Sequence, residues 1–323
     1  MRGVRSSWML KALVALVLGY RVHVLNDNEL SWDVFGYYLY LPATFIHHDP
    51  LLTNMDWIHQ VMAERPISGT LYQISTTPDG GPMYFFLMGM ALIYLPFFLI
   101  GHAIAGLTGQ PMDGFSLPYQ WAIAMGCVSY TVIGLVHLRR ILLAFFPDRL
   151  TAYLLFIVAL GTNWFHFMTM KNLETANAIF MLMTVVVWNT MEWHRAERRK
   201  NLLWIAVAVA LITLVKPSEV LVVLVPLLWG VHDGPSLKAK WRMLWRLRGQ
   251  VLVAMGIGLL VLLPQMVYWM KVTGRPIYDS YKNPGIGLDI WSPHLFDAFF
   301  SYRKGWLVYT PVMVFALIGF LFL

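Results

Sequence analysis

The sequence predicts an all-α polytopic membrane protein, and three observations lead there. Charged residues make up 13% of the 323-residue chain, against roughly 25% in a typical soluble domain, and mean hydropathy is +0.60. Apolar runs long enough for membrane helices recur from one end of the chain to the other. The 14 Trp and 15 Tyr supply rings of the kind that settle at membrane–water interfaces. A net charge of +7 does not call for nucleic acid, because Lys and Arg beside membrane helices orient them. Cys127 is the single cysteine, so no intrachain disulfide forms and the redox compartment stays open. No internal repeat, low-complexity tract or soluble domain interrupts the pattern, so residues 1–323 read as one transmembrane domain.

The first element, "MRGVRSSWMLKALVALVLGY", has the basic start and apolar core of a secretory signal. No small-x-small cleavage pattern follows, so an uncleaved anchor is expected, with Arg21 and His23 reaching toward the far interface. Apolar runs fall at about 8–25, 84–107, 117–138, 150–163, 177–192, 202–216, 218–231, 251–271 and 307–323. Four connections are basic. They hold Arg2, Arg5 and Lys11; Arg139, Arg140 and Arg149; Arg195, Arg198, Arg199 and Lys200; and Lys238, Lys240, Arg242, Arg246 and Arg248. That is fifteen of the 24 Lys and Arg, against only four of the 17 acids. The positive-inside rule places all four, the N-terminus among them, on the cytoplasmic side.

Parity then constrains 84–107. Helix 8–25 delivers residues 26–83 outside, and helix 117–138 must also start outside to end at the basic loop 139–149. The run between them therefore makes no simple crossing. Pro96 near its middle removes a backbone donor and favours a kink. The expectation is a juxtamembrane helix that dips into the outer leaflet and returns. The alternative, a crossing by 34–48, is short for a span and contains Pro42. About eight crossings follow. Three connections face outward: a first loop over 26–83, a short second loop over 163–177 and a long third loop over 272–306, besides the turn "VKPSE". Gly274, Pro276, Pro284, Gly285, Gly287 and Pro293 discourage regular structure in the third loop, which is expected to be mobile. The chain stops inside the apolar run "ALIGFLFL", so a longer natural protein is expected.

The first loop opens "NDNELSWDVFGYYLYLPATFIHHDP". Its acids, Asp27, Glu29 and Asp33, are either a solvated exit from the first helix or the wall of a site. On the solvated reading all three tolerate amide substitution, and Asp27 and Glu29 are expected to do so in any case. His47-His48-Asp49 resembles a metal triplet, but adjacent residues on a helix do not share a face.

Taken together, these features resemble the GT-C superfamily of membrane glycosyltransferases, which includes protein O-mannosyltransferases and lipid A aminoarabinose transferases. The resemblance rests on "SWDVFGYYLYLPA" just after the first helix, on "YFFLMGMALIYLPFF" as a non-crossing juxtamembrane helix, on "GTNWFHFMTMKNLETAN" as second loop, and on "FFSYRKGWLVYTPV" closing a long third loop as in bacterial members of unknown acceptor. It implies transfer of a sugar from a polyprenyl-phosphate donor to a glycan, lipid or protein acceptor at the outer face of a bacterial inner membrane. The partners implied are that donor, the acceptor and membrane lipids, with no nucleic acid. Asp33 takes the place of the general base. Glu174 would assist it or hold a divalent metal ion, the one cofactor left open. The leaving phosphate needs cations opposite it, and those outside are Lys171, Lys216, Arg275, Arg303 and Lys304. Tyr37, Tyr38 and Tyr84 would form an aromatic floor. Two positions depart from the family: Met83 stands where many members have Lys, and Lys216-Pro217 replaces Arg-Pro. Lys216 would otherwise snorkel, with Glu219 as structural partner. A non-catalytic relative and a lipid or sugar transporter are the competing readings.

Overall fold

The computed structural model describes residues 5–281 and 292–322. Helix α1 (Ser6–Val24) leads into two short helices, α2 (Asp33–Tyr38) and α3 (Tyr40–Phe45), then α4 (Asp56–Glu64) and an antiparallel strand pair, β1 (Ile74–Thr76) and β2 (Pro82–Tyr84). Helices α5 (Gly89–Thr108), α6 (Leu117–Phe145), α7 (Asp148–Leu160), α8 (Trp164–Met168), α9 (Thr175–Ala196) and α10 (Arg199–Val215) follow. A 3-10 stretch, Pro217–Val223, runs into α11 (Leu224–Leu228), then α12 (Gly234–Arg246), α13 (Arg248–Thr273), α14 (Leu295–Phe300), α15 (Trp306–Tyr309) and α16 (Met313–Gly319).

The all-α class therefore holds, and α1, α5, α6 and α13 are each long and apolar enough to cross a membrane. Of the other runs expected to cross, α9 has 22 residues but is not among those four, and two more are shorter than the roughly 20 residues a span needs. Helix α7 has 13 residues and α10 has 17. The run 218–231 is not one helix: a seven-residue 3-10 segment changes to a five-residue α-helix, and Pro217 and Pro226 each withhold a backbone donor.

Sequence explains the breaks. Phe146 is extended (φ −130°, ψ 148°) because it precedes Pro147, where the proline ring disfavours helical backbone. Asp148 then opens α7 and also anchors α1, since the Ser6 N–H lies 3.3 Å from Asp148 Oδ1 and Arg139 Nε donates to Ser6 Oγ at 2.7 Å. Arg246 pairs with Glu197, and Gln250 Nε2 donates to the Glu197 carbonyl at 3.3 Å. Arg140 stands over the Trp188 ring. These contacts gather the basic segments at one end of the helices. The three loops meet at the other end.

Helix α5 accompanies only half of α6. The Tyr130 hydroxyl donates to the Ile93 carbonyl at 2.6 Å, Phe97 lies against Gly126, and a Cβ on Gly101 would stand 2.8 Å from Tyr119 Cα. The two helices are therefore antiparallel from 93–101 against 130–119. Gly89 abuts the Leu214–Val215 backbone at the end of α10. Helix α6 continues to Phe145 toward the basic end without α5 beside it.

One expectation for α1 is corrected. Arg21 does not extend outward; it is 1% exposed and its guanidinium lies against the Glu29 carboxylate, whose side chain is 6% exposed. Glu29 Oε1 also accepts the Asn26 N–H at 3.1 Å. Glu29 is not a solvated loop acid. The chain turns straight back on leaving α1, because the Leu30 N–H donates to Gln120 Oε1 at 2.8 Å and Trp121 Nε1 donates to the Asn26 carbonyl at 3.1 Å.

Candidate active site where the three loops meet

Backbone strain marks the approach to Asp33. Trp32 has φ 54° and ψ −126°, a conformation that costs a non-glycine residue about 1–3 kcal/mol. Two hydrogen bonds hold it: the Trp32 N–H donates to the Ile67 carbonyl at 2.9 Å, and Gln73 Nε2 donates to the Trp32 carbonyl at 3.0 Å. Gly36 lets the strand pair come close, since a Cβ there would stand 2.5 Å from the Phe86 ring and 2.8 Å from Gln73 Cγ. The same approach brings Tyr72 to α2, where its hydroxyl donates to Asp33 Oδ1 at 2.6 Å. Asp33 Oδ2 accepts no hydrogen bond from the described residues. One oxygen is oriented and the other is open.

The second loop is pinned by two buried asparagines. Asn172 Nδ2 donates to the Ala124 carbonyl at 2.8 Å. Asn177 Nδ2 donates to the Asn172 carbonyl at 2.9 Å, while its Oδ1 accepts from Thr131 at 2.9 Å. Tyr94 adds a hydrogen bond to the Leu173 carbonyl. Glu174 is thereby fixed as the N-cap of α9, yet its side chain makes no capping bond. It turns instead toward Lys171, with Nζ 3.7 Å from Oε1. Burial holds the Glu174 carboxyl above the usual range; Lys171 opposes that shift, and the Asp33 carboxylate adds to it.

Three tyrosines complete the cluster. Burial, then the Asp33 charge, raises Tyr37, with Tyr281 and Glu174 contributing. Tyr72 is raised by burial and by its bond to Asp33. Tyr281, from the start of the third loop, is pushed up to about 12, mainly by burial, with Asp33 adding to the rise. Segments some 250 residues apart thus share one electrostatic neighbourhood. Tyr72 and Tyr281 escaped the sequence reading. Nothing in "LYQIS" or "DSYKN" sets them apart from the other tyrosines, and the hairpin that presents Tyr72 is made by tertiary packing.

Two of the expected site residues lie in the core. Tyr38 is fully buried, its hydroxyl donating to the Gly114 carbonyl and its ring edge-on to Phe115 at 5.5 Å. Tyr84 is 1% exposed and stacks on Tyr40 at 3.8 Å. Both rings belong to the core, so of the expected floor only Tyr37 faces the carboxylates. Met83 is buried in β2. Lys216 pairs with Glu219 at 2.9 Å, the partner expected from spacing. Arg275, Arg303 and Lys304 are exposed and form no ion pair among the described residues. Pro284, Gly285 and Gly287, named for loop mobility, lie outside the described residues. His47 stacks on Trp57 at 4.1 Å, and Asp49 accepts from the Thr53 and Asn54 N–H groups at 3.0 and 2.8 Å. Those two side chains order a turn, and among the described residues no group of three metal-ligating side chains forms.

Comparison with known protein families, curated proteins and solved structures gives no match. Chemically, the cluster offers an open carboxylate oxygen, a second carboxyl biased toward its protonated form, and one cation at the edge. That set can accept a proton from a bound hydroxyl and place positive charge beside a departing anion.

Proposed function

We propose that the chain is a GT-C-type membrane glycosyltransferase that moves a sugar from a polyprenyl-phosphate donor to an acceptor hydroxyl. The observation behind this reading is Asp33, with one oxygen held by Tyr72 and the other open beside Glu174. Asp33 Oδ2 takes the acceptor proton as the acceptor oxygen bonds to the sugar's anomeric carbon. The bond from that carbon to the phosphate oxygen breaks, and its electron pair leaves with the polyprenyl phosphate. General-base help of this kind is worth about 10²–10⁴-fold. Lys171 is the cation adjacent to the carboxylates. A donor too apolar to leave the bilayer suits a site at the helix ends rather than in a soluble lobe.

The topology belongs to the same proposal: eight crossings, a cytoplasmic N-terminus in a bacterial inner membrane, and a site facing outward. The partial overlap of α5 with α6, and its start at the end of α10, are what a non-crossing α5 rests on; its 20 residues are long enough to cross, so cysteine labelling on either side of it is the direct test. A second, non-catalytic reading draws on Met83 and Lys216, since one is buried and the other neutralised by Glu219. Neither contributes a free cation for phosphate.

Turnover of a lipid-linked sugar by the full chain in nanodiscs, with a donor and acceptor on which the wild type is active, tests the proposal. Asp33→Asn keeps an oxygen for Tyr72 but removes the base. Turnover is expected to fall at least about a hundredfold with donor affinity unchanged. Near-normal turnover would take Asp33 out of the mechanism.

A further inference from the structure

Helices α6, α9 and α10 enclose a cavity of about 560 Å³ near their basic end. Its mouth carries Arg140, Arg198 and Lys200, and its floor is apolar, with Met181, Val185 and Leu211 among the lining residues. Glu192, the acid in the wall, is paired with Arg195 at 3.1 Å. None of the three mouth cations pairs with a carboxylate among the described residues. The Arg140 guanidinium lies 5.8 Å from the Trp188 ring centre, and His137 lines the cavity beside it. Asn201, 6% exposed, lines the same space, and its Oδ1 is buried with no hydrogen-bond partner. Trp204 in the wall is 59% exposed, so the cavity opens sideways toward whatever surrounds the helices.

We propose that this cavity binds one anionic glycerophospholipid, its phosphate among Arg140, Arg198 and Lys200, a headgroup hydroxyl toward Asn201, and an acyl chain along the floor. Charge complementarity selects the headgroup, since three unpaired cations meet a single paired acid. The apolar floor selects a lipid over free phosphate, which would leave that surface uncovered. Basic pockets between membrane helices suit such headgroups, each cation being worth about fivefold in affinity. The site lies at the opposite end of α9 from Glu174 and does not depend on the transferase reading.

The test is lipid binding to the full chain in an uncharged detergent, followed by native mass spectrometry. Phosphatidylglycerol is compared with phosphatidylcholine of the same chains, and millimolar inorganic phosphate serves as competitor. Phosphatidylglycerol is expected to bind at least about tenfold tighter than phosphatidylcholine, without displacement by phosphate. R140Q/R198Q/K200Q is expected to lose that preference. K238Q/R242Q/R248Q, which removes as much charge outside the cavity, is expected to keep it within about twofold. Leu211→Trp obstructs the floor while leaving the charges in place, and is also expected to weaken binding about tenfold or more. Equal affinity for the two lipids, displacement by phosphate, equal loss in both triple variants, or full binding by Leu211→Trp would each overturn the proposal.

Discussion

Replacing Glu29 with Gln removes the carboxylate that faces Arg21 and leaves a guanidinium that is 1% exposed with no counter-charge. Breaking a buried ion pair from one side costs about 3–5 kcal/mol, most of it from the uncompensated charge. Gln keeps an oxygen for the Asn26 N–H, now bound at 3.1 Å, so that bond adds nothing to the loss. At roughly 2–4 °C per kcal/mol for a large chain, melting should fall by roughly 10 °C. Thermal unfolding of the detergent-purified protein measures it, with exposed Asp27→Asn as a control expected to shift little. Adding Arg21→Met to Glu29→Gln should restore most of the loss, because a well-packed apolar group in place of a buried ion is close to neutral. If Glu29→Gln melts within about 2 °C of Asp27→Asn, the buried pair does not stabilise the fold. The same measurement guards the Asp33 experiment, separating loss of structure from loss of chemistry.

Tyr72→Phe deletes the 2.6 Å hydrogen bond to Asp33. If the site is catalytic, turnover should drop about tenfold while melting changes little, since the tyrosine is 39% exposed; unchanged turnover argues against an oriented base. Glu174→Gln should raise the melting temperature at neutral pH. The native Glu174 carboxyl is held above its ordinary range by burial, so ionising it opposes folding, and the variant's advantage should shrink as pH falls through that raised value. A melting difference that grows on acidification would reverse the assignment. Topology can be read with Asp79→Cys and Gln110→Cys in a Cys127→Ala background, both positions being exposed. Both should label from outside, and labelling from opposite faces would make α5 a crossing helix.

The sequence by itself determined what depends on composition and period. Helical class, membrane character, the sorting of Lys and Arg into four connections and the break at Pro147 are properties of local chain and solvent, so they are readable without contacts. Asp33 was legible because it stands between the end of the first apolar run and a cluster of tyrosines, and Glu174 because it sits at the start of another run. The Lys216–Glu219 pair follows from a spacing of three. Tertiary structure decided everything that needs a distant partner. Glu29 and Asp27 look alike in "NDNEL", yet one is sealed against Arg21 because the chain folds back on α6 at Gln120. Tyr37, Tyr38 and Tyr40 are near neighbours, but a helical turn points them different ways: Tyr38 into the core against Phe115, Tyr37 toward Asp33 and Glu174. Tyr72 and Tyr281 join the site only through packing, of the strand pair against Gly36 in one case and of the third loop against Phe85 in the other. Burial and long-range electrostatics are set by the whole fold, and no local pattern encodes them.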